Sequence, residues 1–212
     1  MKNSLRHSMV EHIYDELKQR FVSLDYKLGQ EILVEQLQKQ FDTGPEPIRD
    51  AFSRLAKEGF VILTKAGGRV VTWEEDDIEE IQELSLALDY LALEDIFEQP
   101  DRSILLKELS IISERFVKAE SPDDHARWAE MFSKAMYRST GSKRLLQMAS
   151  SIKAQQAMLR NILLSRDETA PQLMEHREIM LGIESDDLKA TKRALEKSYQ
   201  KKTRAILDVL AS

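Results

Sequence analysis

Residues 42–73 read DTGPEPIRDAFSRLAKEGFVILTKAGGRVVTW, and this stretch decides the fold. Ile48, Ala51, Phe52, Leu55 and Ala56 recur at helical spacing, so a helix starts at the Gly44-Pro45-Glu46-Pro47 break and closes at Gly59. Both prolines fit its first turn, whose N–H groups lack intrahelical partners in any case. Gly44 reads as the N-cap, kept out of the helical region by the proline that follows it. Beyond Gly59, the β-rich runs Phe60–Thr64 and Arg69–Trp73 flank Lys65-Ala66-Gly67-Gly68 and read as a small hairpin.

Working outward, Val10, Ile13, Leu17 and Phe21 are spaced three, four and four, one face of an amphipathic helix. Val34, Leu37 and Phe41 mark a short second helix. Three short helices followed by a hairpin is the order of a winged helix-turn-helix, with the third helix as reader and the hairpin as wing. After Trp73 the pattern is helical throughout. Ile78, Ile81, Leu84, Leu88 and Leu91 form a stripe that runs toward Pro100. Further helices are expected over roughly 101–119, 123–139, 143–166, 171–184 and 186–210, to within a few residues at each end. The expected fold is mainly α: a winged helix-turn-helix domain over 1–73, then an all-α antiparallel helical bundle over 74–212.

Composition narrows the function. The 212 residues include no cysteine, which excludes a disulfide framework, a thiolate zinc site and a cysteine nucleophile. No apolar run approaches a membrane span and none follows the first residues, so a cytoplasmic protein without a membrane partner is expected. The net charge of −6 hides an asymmetry. Residues 1–73 carry 11 Lys/Arg against 10 Asp/Glu, whereas no Lys or Arg lies between Arg69 and Arg102, where Glu74-Glu75-Asp76-Asp77 opens an acidic stretch. The first domain is near neutral, so any DNA function must rest on a shaped motif rather than on bulk attraction. No nucleophile elbow, phosphate loop or zinc-protease motif occurs, and no enzymatic activity is expected.

The run Pro47-Ile48-Arg49-Asp50-Ala51-Phe52-Ser53-Arg54-Leu55-Ala56-Lys57-Glu58-Gly59 resembles the GntR-family signature SRxPVREALxRLxxEGL, and Gly67-Gly68-Arg69-Val70 fits its wing. Thr140-Gly141-Ser142-Lys143-Arg144-Leu145 and Glu175-His176-Arg177-Glu178-Ile179 resemble the SGNxxL and EHxxI motifs of the FCD (FadR C-terminal-type) domain. The resemblance implies a homodimeric transcription regulator that binds a double-stranded DNA operator, its affinity changed by a small-molecule effector. It assigns DNA contact to Thr43, Gly44, Glu46, Arg49, Arg54, Lys65, Gly67 and Arg69. It assigns an effector pocket to Ser85, Ala129, Ser133, Met136, Gln156, His176, Met180 and Ser198.

Departures from the family pattern shape these expectations. The family's Ser-Arg pair before the reading helix is Gly44-Pro45, and a proline can reach neither a phosphate nor a guanine edge. Arg49 is retained; its alternative is an ion pair with Glu46 or Asp50. Arg54 and Lys57 could equally be solvated helix residues. The family's divalent-metal positions become Ala129, Ser133, His176 and Ser198, so three of four ligands are missing and no metal or other cofactor is expected. The arginine that the family often places on the first bundle helix is Ser85. Loss of two imidazoles is expected to enlarge a cavity lined by Ser133, His176, Ser198 and methionines, suited to a bulkier or more apolar molecule than a hydroxy acid. His176 shares a face with Leu173, Met180 and Ile183, and reads either as a core histidine satisfied by one hydrogen bond or as pocket lining. Gln156 is either a pocket donor or an interface residue. The rival to the regulator is a ligand- or protein-binding module of the same fold with degenerate operator recognition.

Overall fold

The computed structural model describes residues 2–164 and 170–211, with the side chains of 2–6, 122, 151, 164 and 170–173 left aside. It divides into two compact units, Met1–Glu74 and Glu75–Ser212.

The first unit contains α1 (Lys2–Val22), β1 (Glu31–Leu33), α2 (Val34–Phe41), α3 (Pro45–Lys57), β2 (Val61–Leu63) and β3 (Gly67–Val70). Gly44 is the N-cap of α3 in extended conformation, with Pro45 opening the helix. Gly59 has φ of 76°, the left-handed geometry that favours glycine after a helix end. Ile13, Leu17 and Phe21 of α1 are buried together with Ile48, Phe52 and Leu55 of α3 and with Phe60. Each such side chain contributes about 1.5–3 kcal/mol when removed from water. The sheet has the order β1-β3-β2, all antiparallel, with Ile32 opposite Gly68 and Ile62 opposite Arg69. The hairpin is thus joined by a third strand, β1, that the sequence pattern did not show. A Cβ on Gly67 would lie 2.1 Å from the Ile32 carbonyl oxygen, so the close approach of β1 to the wing requires glycine there.

The second unit is helical among the described residues: α4 (Glu75–Phe97), α5 (Ser103–Val117), α6 (Pro122–Ser139), α7 (Lys143–Leu164), α8 (Ala170–Glu184) and α9 (Leu188–Leu210). Residues 165–169, where two of the expected helices meet, lie outside the description. Leu93, Ile96, Leu109, Phe132, Ile179, Ile183 and Leu195 belong to one core cluster. A Cβ on Gly182 would fall 1.8 Å from the Thr191 hydroxyl, so glycine lets α8 and α9 pack closely.

The apolar stripe expected on α4 needs correction. Leu84 and Leu91 are 44% and 50% exposed, while Ile78, Ile81, Gln82, Ser85, Asp89, Ala92 and Ile96 face inward. The buried side of α4 therefore carries polar groups, because it borders a polar cavity rather than a purely apolar core.

Candidate effector site and DNA-reading face

The first half of α3 projects Glu46, Arg49 and Asp50 from the surface, next to exposed Gly44 and Pro45 and half-buried Thr43. Lys65 and Arg69 are exposed at the wing, while Gly67 is buried against β1. Arg54, one turn beyond Asp50, is engaged elsewhere. Its Nη1 donates to Glu11 Oε1 at 2.6 Å, and its guanidinium lies 4.0 Å from the Tyr14 ring centroid. The hydrogen bond from Arg54 is the main reason that the Glu11 carboxyl is held below its ordinary pKa. Lys18 donates to Glu58 at 2.6 Å, and the Tyr14 hydroxyl donates to the same carboxylate at 2.6 Å. The second half of α3 is thereby tied to α1, which leaves Arg49 as the exposed arginine of this helix.

In the bundle, α4, α6, α7, α8 and α9 enclose a cavity of about 30 Å³, enough for a water molecule or two. Of the eight residues expected to line it, Ala129, Ser133, Met136, Gln156 and His176 do so. Ser85 is fully buried on α4 without lining the cavity, and its hydroxyl has no partner among the described residues. Met180 packs against the core, its sulfur 3.9 Å from the Ser113 hydroxyl. Ser198 donates its hydroxyl to the Glu175 carboxylate. The side chain of Leu173 lies outside the described residues.

Charge defines the cavity wall. Asp89 accepts from the Tyr137 hydroxyl at 2.6 Å and from the Tyr199 hydroxyl, and pairs with Lys153 Nζ at 2.7 Å. Lys153 also donates to Tyr199 Oη at 2.9 Å and to Gln156 Oε1 at 3.2 Å, and Gln156 donates on to Gln82. Burial pushes the Lys153 ammonium down in pKa, although the Asp89 carboxylate works against it. Burial and the Asp89 charge raise the phenols of Tyr137 and Tyr199, which stay protonated and act as donors. Lys202, which also lines the cavity, pairs with Glu175. Burial alone would raise the Glu175 pKa, but the Lys202 ammonium and the Ser198 hydroxyl outweigh it and hold the carboxyl below its usual range.

His176 is 2% exposed. Its ring stacks on Phe132 with centroids 3.9 Å apart and meets the edge of Phe116 at 5.2 Å. Burial lowers its pKa to about 4, so the imidazole is neutral near pH 7, and Nδ1 has no partner among the described residues. The residue packs in the core and also borders the cavity, but the hydrogen bond expected of a core histidine is not found at Nδ1 among the described residues.

The expectation of an enlarged, more apolar cavity is corrected. One turn beyond Ser198, Lys202 brings an ammonium group to the wall, and Ser198 itself is engaged by Glu175. Lys153 and Arg160 add two more cations. Among the described residues no three His, Asp or Glu side chains are grouped to hold a metal ion. A divalent ion at the family position would meet Ala129, two serine hydroxyls and one imidazole, beside three resident cations. These residues do not fit it.

The missed residues Asp89, Lys153, Arg160, Glu175, Tyr199 and Lys202 carried a readable signal. Leu195, Tyr199, Lys202 and Ile206 are spaced four, three and four, so Lys202 lies in phase with a buried stripe. Asp89 is likewise in phase with Ser85, Ala92 and Ile96.

The profile of the bacterial regulatory proteins of the gntR family matches residues 9–71, and that of the FCD domain matches residues 80–201. The chain belongs to the GntR family and carries an FCD domain. The uncharacterized HTH-type transcriptional regulator YdhC of Bacillus subtilis (strain 168) is 29% identical over 108 residues, 50% of this chain and 46% of that protein. This match spans about half the length of that relative. Among solved structures, E. coli McbR/YncC superposes with a TM-score of 0.78 at 16% identity, covering 94% of this chain and 97% of that one. A putative GntR transcriptional regulator from Rhodococcus sp. RHA1 gives 0.76 at 16% identity, covering 95% and 98%. Both support the fold. The relatives and family profiles describe regulators and not enzymes. No helix among the described residues is long and apolar enough to cross a membrane.

Proposed function

We propose that this GntR-family chain is a cytoplasmic, homodimeric, DNA-binding transcription regulator whose operator affinity is set by a small molecule entering the metal-free cavity of its FCD domain. One observation carries the DNA-binding half. The reading helix presents Arg49 while its neighbour Arg54 is tied back to Glu11 and Tyr14. An arginine near the start of a recognition helix can meet a guanine edge through two hydrogen bonds. Exposed Lys65 and Arg69 supply a wing suited to phosphate contact. Exposed Leu84 and Leu91 on α4 give a second copy an apolar surface to cover.

Selection of bound genomic fragments, followed by footprinting and a salt titration, tests the reading. A discrete footprint whose affinity falls steeply with salt is the expected outcome. Binding without any footprint at every salt concentration would favour the module with degenerate operator recognition, for which Gly44-Pro45 and the acidic Glu46 and Asp50 argue. Light scattering of the purified chain checks the dimer.

A further inference from the structure

Two lysines of the bundle cavity, Lys153 of α7 and Lys202 of α9, bring their ammonium groups to one aromatic ring. Nζ of the two lies 5.7 and 4.6 Å from the Tyr199 centroid. Each lysine has a carboxylate, Asp89 for Lys153 and Glu175 for Lys202. The Lys153 pair is the more unusual. Asp89 also accepts from the Tyr137 and Tyr199 hydroxyls, so this carboxylate keeps its place and two hydrogen bonds without the Lys153 charge. Burial is the largest influence on the Lys153 ammonium and lowers its pKa; the Lys202 charge acts the same way, and Asp89 opposes both. A desolvated lysine beside a second cation is the setting in which an amine becomes a nucleophile near neutral pH.

Space limits what such an amine could meet. The cavity that Lys153 lines is about 30 Å³, room for a water molecule or two. The Lys153 side chain keeps 15% of its exposure, so the amine is screened from bulk water without being sealed off. A second polar group of the same cavity is also unspent. The His176 ring is held by its stack on Phe132 and is 2% exposed, yet its Nδ1 has no partner among the described residues. That neutral imidazole nitrogen is free to hydrogen-bond a small polar molecule.

We infer that Lys153 is an imine-forming lysine that binds a compact aldehyde covalently in the bundle cavity. Asp89, 2.7 Å from Nζ, takes one proton from the ammonium, and the freed electron pair attacks the carbonyl carbon. A second nitrogen proton moves to the carbonyl oxygen, which gives a carbinolamine. Asp89 then returns its proton to the new hydroxyl group, which leaves as water while the nitrogen lone pair closes the C=N bond. One ammonium and one aldehyde thus become one iminium and one water, and nothing is oxidised or reduced. The iminium keeps a positive charge beside Asp89. A carbamate formed with carbon dioxide would instead set a negative charge against the same buried carboxylate. The inference names a ligand class for the effector reading above, and rests on that reading only for its link to DNA binding.

The test uses the full chain, free of DNA, with acetaldehyde as probe and sodium cyanoborohydride to reduce any iminium to a stable secondary amine. Peptide mapping by mass spectrometry then reads each lysine. Labelling of Lys153 should saturate with acetaldehyde and exceed that of exposed Lys65 and Lys143 by roughly tenfold or more. Benzaldehyde, too large for the cavity, should label the exposed lysines and spare Lys153. Lys153→Arg keeps a cation beside Asp89 but cannot form an imine, so it should abolish both the saturable adduct and any rise in melting temperature with acetaldehyde. Lys153 labelled no faster than the exposed lysines, equal labelling by benzaldehyde, or a melting-temperature rise that persists in Lys153→Arg would overturn the inference. If Lys153→Arg fails to fold, the lysine map of the parent chain still decides. An operator complex in a chain whose Lys153 stays unlabelled would sink this inference and leave the regulator standing. A saturable Lys153 adduct without any operator complex would do the reverse.

Discussion

The two units of this molecule place their charges in opposite ways. In the winged unit, Arg54–Glu11 and Lys18–Glu58 lie at the margin of an apolar core, with side chains 24–39% exposed. In the FCD unit, Lys153–Asp89 and Lys202–Glu175 are 12–15% exposed and line an internal cavity. Among the described residues, the buried polar residues Gln82, Ser85, Asp89, Ser113, His176 and Thr191 all belong to the second unit. Marginal pairs add roughly 0–1 kcal/mol each and are replaceable. Buried pairs gain little over apolar packing but are costly to break, because the surviving partner stays unpaired. The first arrangement ties a scaffold together, whereas the second places paired charges inside the helical unit.

The largest effect should come from breaking one buried pair. Lys202→Met leaves Glu175 buried with only the Ser198 hydroxyl and should cost about 3–5 kcal/mol in urea unfolding. Adding Glu175→Gln should restore most of that loss. A single mutant as stable as the parent would mean that the bundle tolerates buried charge as well as the winged unit does.

Within the winged unit the contrast lies between two arginines. Arg49→Ala should weaken operator binding by about 1–3 kcal/mol, measured on one footprinted site at one salt concentration. Arg54→Ala should change affinity much less and lower stability by no more than about 1 kcal/mol, since it loses a marginal ion pair and a ring contact. Equal affinity losses would make Arg49 one phosphate contact among several.

Histidine 176 offers a pH test of the buried site. Its pKa falls from 6.5 to about 4 on folding, so the unfolded chain binds the proton first as pH drops. Stability should therefore be fully present above pH 6.5 and be lost as pH falls toward 4, by about 2 kcal/mol between pH 7.5 and 5. His176→Phe should flatten that part of the profile. The comparison is the difference between parent and mutant unfolding free energies at each pH.

The smallest expected change is Pro45→Arg. It adds a cation at an exposed first-turn position, and the salt dependence of operator binding should steepen by roughly one phosphate contact, a slope change of about 0.9. Weaker binding would mean that the Gly44-Pro45 entry is itself part of the reading geometry.

What could be read from the sequence was local. Val34–Phe41 and Pro45–Lys57 follow from apolar spacing, and the N-cap at Gly44 follows from the Gly-Pro break, because caps and periodicity act within a few residues. The strand Glu31–Leu33 could not be read, since it has three residues and exists only through its pairing with β3. The outer stripe of α4 was misassigned because leucines outrank Ser85 and Asp89 on any hydropathy pattern, although the polar pair faces inward.

By itself, the sequence determined the order of the helices and the wing hairpin, and placed Arg49 near the start of the third helix. Only the tertiary structure decided the state of each charge. Arg54 is tied to a helix 43 residues earlier, and Asp89 accepts from Tyr199, 110 residues away. The energy of a charge depends on the dielectric and on the partners that packing brings to it, and neither is a property of its neighbours in the chain. The same lysine at position 202 would be a solvated surface residue on an isolated helix. On α9, paired with Glu175 of α8, it becomes part of the wall of the cavity.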